Sequence, residues 1–204
     1  MTAVTATKVP GTVQSLLSPR AAGWDKAPEV KLALKPTPLE AIPSAYVQKA
    51  WEGKKRGRIA SVAVRAVSVD GKLLVRLQWT AASPRQKIND NNVYADACAL
   101  LFPSDGKDAE LSTMGSPEKP VTAWHWQAGA EKPFLATATG LGTVTREKQH
   151  NFQATGEWLA GQWQVVFAGP APGSRIGVAI WLGAADERAG LKSHTPSWVD
   201  LQVG

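Results

Sequence analysis

The chain has 204 residues and a formal net charge of +6, with 18 glycines and 14 prolines spread along its length. Its 44% hydrophobic and 20% charged residues are those of a globular domain with a sizeable core, which excludes a disordered or collagen-like chain. Cys98 is the sole cysteine, so an intrachain disulfide, a cysteine-based zinc or iron–sulfur site and the C-x-x-C-H attachment of covalent haem are all excluded.

In chain order, residues 1–45 are rich in Pro, Ala and Thr and predict an extended N-terminal arm, packed on the domain or on a partner subunit, with one or two short strands around Glu29–Leu34. Residues 46–204 form the main domain, and Ser44–Trp51 reads as a short helical turn at its start. The clearest element is a hairpin: Ile59–Val69 and Leu73–Trp79 alternate apolar and polar residues on either side of the turn dipeptide Asp70-Gly71. Further strands are predicted at Ala95–Phe102, Val121–Gln127, Leu135–Thr139, Gln153–Leu159, Gln162–Phe167, Arg175–Leu182 and Trp198–Val203, with Gly161 in a second hairpin turn. No amphipathic helix longer than about three turns is evident. The pattern predicts a mainly all-β fold, an antiparallel β-sandwich with short helices and long loops.

The first 20 residues lack the contiguous apolar segment of a secretory signal, and no stretch approaches the roughly 20 apolar residues of a membrane span. Pattern alone therefore predicts a cytoplasmic chain. The densest basic cluster, Lys54-Lys55-Arg56-Gly57-Arg58, has no interleaved aromatics, so it reads as a solvated loop or a docking patch for an acidic partner rather than a nucleic-acid surface.

Met114 is the only methionine besides Met1, and it lies in a polar, glycine-flanked stretch rather than an apolar strand. A thioether there reads either as a gap-filling packing residue or as a soft metal ligand, and Gly115 allows a flat ligand to approach the backbone. Lys192 reads as an exposed lysine or, if buried and neutral, as a nitrogen ligand. His194 competes with it, since along an extended chain the two side chains share a face. His125, between Trp124 and Trp126, would point opposite to both, which makes it structural or surface if the tryptophans face the core. Nine tryptophans against four phenylalanines suit either core packing or the lining of a flat ligand. No Ser/His/Asp set, phosphate loop or dinucleotide fingerprint is present.

Several segments together resemble the haem b-binding gamma subunits of ethylbenzene dehydrogenase and its relatives, the dimethylsulfide and steroid C25 dehydrogenases and the chlorate and selenate reductases. They are Leu77-Gln78-Trp79, Val93 to Pro103, Thr113-Met114-Gly115, Pro120 to Trp126, Gly161 to Val165, Val178 to Gly183, and Glu187 to Ser193. The resemblance implies a β-sandwich enclosing one non-covalent haem b, with Met114 and Lys192 as axial ligands and Gly115, Trp124 and Trp126 beside the ring. It also implies a molybdopterin-containing catalytic alpha subunit, an iron–sulfur beta subunit and a soluble c-type cytochrome or other redox acceptor as partners. The compartment implied is the periplasm, reached by co-export with a catalytic subunit bearing a twin-arginine signal, and the cytoplasm if co-export does not occur. A rival from another class is a haem-free sandwich whose tryptophans bind a carbohydrate or an apolar ligand. A third is an enzyme using Lys192 as a Schiff-base nucleophile.

Overall fold

The computed structural model describes residues 2–204 apart from residues 89, 92, 105, 107 and 148. Among them, apolar–polar alternation broken by Gly- and Pro-containing turns sets fifteen strands, with two short α-helices and three 3-10 turns between them. In chain order these are β1 (Ala3–Lys8), α1 (Val13–Leu16), β2 (Val30–Ala33), β3 (Lys35–Pro36), α2 (Ala45–Trp51), β4 (Ser61–Val69), β5 (Lys72–Thr80), β6 (Ala97–Pro103), β7 (Gly115–Ser116) and β8 (Lys119–Gln127). Then come β9 (Phe134–Ala138), β10 (Thr145–Arg146), β11 (Gln153–Leu159), β12 (Gln162–Gly169), β13 (Arg175–Trp181), β14 (Ser193–His194) and β15 (Val199–Val203).

The strands form a β-sandwich. One sheet runs β15-β1-β4-β5-β12-β11 and the other β10-β9-β8-β6-β13. β13 belongs to both: Arg175 and Ile176 pair with β15, whereas Gly177–Trp181 pair with β6. The predicted hairpin is β4–β5, and both Asp70 and Gly71 have positive φ, as a two-residue turn matching strand twist requires. Ala160 and Gly161 repeat that geometry between β11 and β12.

Residues 1–45 are woven into the sandwich: β1 and β2 join the first sheet, and β3 pairs with β14 beside the second. β1 lies between β15 and β4 and runs parallel to both, so the sandwich is antiparallel everywhere except around this strand. β1 was not predicted from the sequence because its inward residues, Val4 and Ala6, are small and its partners are far away in the chain. Downstream of it, Val9, Leu16, Trp24 and Ala27 cover Val67, Leu74 and Val166 on the outer face of that sheet.

Between the sheets, Val64, Leu77, Trp163 and Phe167 meet Leu100, Phe102, Trp124, Trp126 and Ile180. Each large apolar side chain buried here contributes about 1.5–3 kcal/mol. Trp126 packs edge-on against Trp163 at 5.0 Å, and a Cβ at Gly156 would run into the Trp126 ring. Asp96, just before β6, staples this end of the sandwich. Its buried carboxylate accepts from the Arg85 and Gly183 amides and from the Trp163 indole, at 2.8 to 2.9 Å.

All seven residues of β6 are buried, because its two faces serve two different cores. Cys98, Leu100 and Phe102 point between the sheets, whereas Ala97, Ala99 and Leu101 point outward beneath a layer of loops. That outer face holds the candidate site.

Candidate functional site

Pairing across the second sheet lays small side chains side by side. One row runs Gly177, Leu101, Ala123, Ala136; the next runs Ala179, Ala99, His125, Phe134; the third runs Trp181, Ala97, Gln127. A sheet face roofed by loops ordinarily carries larger residues. Here the alanines leave a cavity of about 430 Å³, a size typical of ligand sites, with a flat floor.

Met114 and Lys192 both line this cavity. Met114 is 7% exposed and has φ of 61°, a left-handed conformation that a non-glycine residue rarely adopts. The turn is pinned on all sides: the Met114 amide donates to Leu111, the Gly115 amide to Glu110, and the Gly140 amide to the Met114 carbonyl. Lys192 is 1% exposed, enters from the loop before β14, and has its ammonium position 5.8 Å from the Trp181 ring centre. Burial lowers its pKa from 10.5 to about 8. Among the described residues no ion pair or hydrogen bond of its amine occurs, whereas the fully buried polar atoms left without a partner are Thr37 Oγ1, Trp79 Nε1, His125 Nδ1 and His194 Nε2. Burial without a paired carboxylate disfavours the ammonium, so this amine gives up its proton and frees its lone pair far more readily than a surface lysine.

His194 is fully buried but does not line the cavity; its Nδ1 is 2.8 Å from the Thr195 carbonyl oxygen, and burial lowers its pKa to about 4. The structure thus separates the two residues that simple alternation places on one face. Gly115, Trp124 and Trp126 stand apart from the cavity as well. Gly115 has φ of 83°, and the space a Cβ would take is filled by the Lys119 carbonyl of the β7–β8 hairpin, so it shapes the Met114 turn. Trp124 and Trp126 lie on the opposite face of β8, in the inter-sheet core, because alternation gives the cavity to the residue between them.

That residue is His125, which sequence reasoning had placed on the surface or in a structural role. It stacks on Phe134 at 4.3 Å and leans on Trp181 at 5.3 Å, and burial lowers its pKa to about 3. The sequence did signal its direction; what it lacked was the roof of loops over the outer face. Glu187 is the second missed residue. Its buried carboxylate, raised in pKa by burial, accepts from the Leu182 and Arg58 amides and ties the loop carrying Lys192 to β13 and to the basic segment.

A larger groove of about 620 Å³ lies across the Met114 turn, lined by Glu110, Thr113, Ser116, Lys119 and Trp198 among others; neither Met114 nor Lys192 reaches it. The tryptophans offer no exposed platform. Seven of the nine are buried, and the two half-buried ones, Trp158 and Trp198, donate their indole N–H to the Ala81 and Ala109 carbonyls. Among the described residues no helix is long and apolar enough to cross a membrane.

A thioether and a readily deprotonated amine lining one apolar cavity are suited to hold a planar metal macrocycle. Comparisons with known proteins point the same way. The chain is 32% identical to the gamma subunit of chlorate reductase from Ideonella dechloratans, over 91% of this chain and 79% of that protein. It is 25% identical to a Haloferax mediterranei protein given as the heme subunit of a respiratory nitrate reductase, over 100% and 76%. It is 23% identical to the gamma subunit of dimethylsulfide dehydrogenase from Rhodovulum sulfidophilum, over 86% and 71%. Among solved structures, a carbohydrate-binding protein assignment from Bacteroides uniformis ATCC 8492 shares the fold, with a TM-score of 0.58 at 9% identity over 100% and 99% of the two chains. Residues 21–158, from Trp24 through the hairpin and the cavity floor to β11, match the model of the ethylbenzene dehydrogenase family, and the chain belongs to that family.

Proposed function

We propose that this chain is the haem-carrying electron-transfer subunit of a multi-subunit molybdenum oxidoreductase, holding one haem b non-covalently between Met114 and Lys192. The observation that carries the reading is a buried lysine, Lys192, with no ion pair among the described residues, lining the same cavity as the one internal methionine. The names of the chlorate reductase, nitrate reductase and dimethylsulfide dehydrogenase relatives support it.

When bound, haem supplies a one-electron carrier. Burial lowers the Lys192 pKa to about 8, so its proton would be readily displaced when the amine offers its lone pair to a metal. Met114 offers a soft sulfur, which favours reduced iron and a fairly high potential. Ala97, Ala99, Ala123 and Ala136 give the ring a flat apolar bed that excludes water, and Glu187 holds the Lys192 loop in place. Electrons pass between the iron–sulfur clusters of a beta subunit, which serves a molybdopterin-containing alpha subunit, and an external acceptor such as a soluble c-type cytochrome. The exposed Lys54, Lys55 and Arg58 provide a docking patch for an acidic partner face. The complex works in the periplasm, exported together with its catalytic subunit.

The test is purification of the chain with its native partners, followed by oxidised and reduced spectra and a pyridine haemochrome. One b-type haem per chain is expected. Absence of a b-type haem in the purified complex overturns the reading.

A further inference from the structure

The cavity has a charged mouth that the proposed axial ligands do not use. Among the described residues, four charged ones line it. Lys192 lies deep inside, and both Glu187 carboxylate oxygens are taken by backbone amides. The other two, Arg146 and Arg188, stand where the cavity meets solvent, beside Ile88 and Val144, which are 60% and 53% exposed. They arrive from different elements. Arg146 comes from β10, the edge strand of the second sheet, and Arg188 from the loop that leads to Lys192.

Each guanidinium is already oriented by an aromatic ring of the cavity wall. Arg146 lies over Phe134, 4.0 Å from its ring centre, and Arg188 lies over Tyr94 at 4.3 Å, with one Nη donating to the Asp186 carbonyl at 2.9 Å. Stacking uses the face of a guanidinium and leaves its edge N–H groups for planar acceptors. Neither arginine pairs with a carboxylate among the described residues. Two oriented forks at the wet end of an otherwise apolar cavity are suited to a ligand with hydrocarbon on one edge and two carboxylates on the other.

We propose that Arg146 and Arg188 form a two-point carboxylate clamp at the cavity mouth, gripping the two propionates of the bound haem and fixing which edge of the ring faces solvent. This rests on the haem reading above. It follows from the chemistry of the ring periphery: ionised carboxylates stay at the aqueous end, where arginine forks meet them bidentately, while the hydrocarbon edge goes to the alanine floor.

The test is a Soret titration of the full chain with haem b and with its dimethyl ester, in which both propionates are blocked. Wild type is expected to bind haem b at least about tenfold more tightly than the ester. The double variant R146Q/R188Q is expected to lose that preference, binding haem b about as weakly as wild type binds the ester. Wild type that binds both macrocycles equally, or a double variant that keeps the full preference, overturns the clamp and leaves the haem reading standing. Wild type that forms a Soret band with neither macrocycle overturns both. The ester arm uses unaltered protein, so the test does not depend on the folding of the variant.

Discussion

Lys192→Met in the haem-free chain isolates the physical claim on which the site depends. The substitution replaces a buried amine with an apolar side chain of nearly the same length, which a core site tolerates at under about 1.5 kcal/mol when volume is kept. Burial lowers the Lys192 pKa from 10.5 to about 8, so the unfolded chain binds this proton more tightly than the folded one. Stability of the haem-free protein is therefore undiminished by this group above about pH 10.5, falls as pH drops to about 8, and is flat in this respect below that. The gap between the two values converts to about 3 kcal/mol. Lys192→Met should accordingly stabilise the haem-free chain by about 3 kcal/mol at neutral pH, and the gain should shrink as pH rises through 8 towards 10.5. Urea unfolding of both proteins at a series of pH values between 7 and 10 measures it. A variant less stable than wild type at neutral pH, or a gain that does not change with pH, refutes the argument that burial of an unpaired amine is the dominant effect. A residue kept at a stability cost is the signature of a functional site.

Three further outcomes follow from other parts of the structure. Ala99→Leu puts a branched side chain on the cavity floor, beside His125 and Ala179, so it should leave urea stability within about 1.5 kcal/mol while weakening haem uptake at least about tenfold in a Soret titration. Asp96→Ala strands the Arg85 and Gly183 amides and the Trp163 indole, and should lower unfolding free energy by about 3 kcal/mol or more, measured by the same urea assay. His125 and His194 have pKa values lowered by burial from 6.5 to about 3 and about 4, so they stay neutral in the folded chain while the unfolded chain takes up protons below 6.5. Stability should fall as pH drops below 6.5, by about 2.7 kcal/mol per pH unit between about 6 and 4, and His125→Phe should roughly halve that slope in acid titrations followed by fluorescence.

Local alternation and turn chemistry made much of the sandwich legible. β4–β5 and β11–β12 are antiparallel neighbours joined by two-residue turns, so their pairing is written within a short stretch of chain. β1 was illegible because its partners are the last strand and β4, both parallel to it, and pairing of that kind leaves no local signal. The site divides along the same line. Met114 stood out by its rarity and its turn setting. The burial of Lys192 was invisible, since it depends on Trp181 and on a loop held by Glu187, whose partner amides lie at Leu182 and as far off as Arg58. The direction of His125 opposite to its tryptophan neighbours was readable, but the side of the sheet that holds the cavity was not. Alanines at 97, 99, 123 and 136 look like weak strand formers until their registered rows show them as a floor.

The central claim is that Met114 and Lys192 supply the two axial ligands of one haem b. Low-temperature magnetic circular dichroism in the near infrared, on the oxidised holoprotein and on the Met114→Leu, Lys192→Ala, His194→Ala and His125→Ala variants, tests it most directly. A low-spin methionine–amine signature is expected in wild type, altered by the Met114 and Lys192 substitutions and unchanged by either histidine substitution. A histidine-ligated signature in wild type, or a spectrum that shifts with His194 or His125 and not with Lys192, would contradict it.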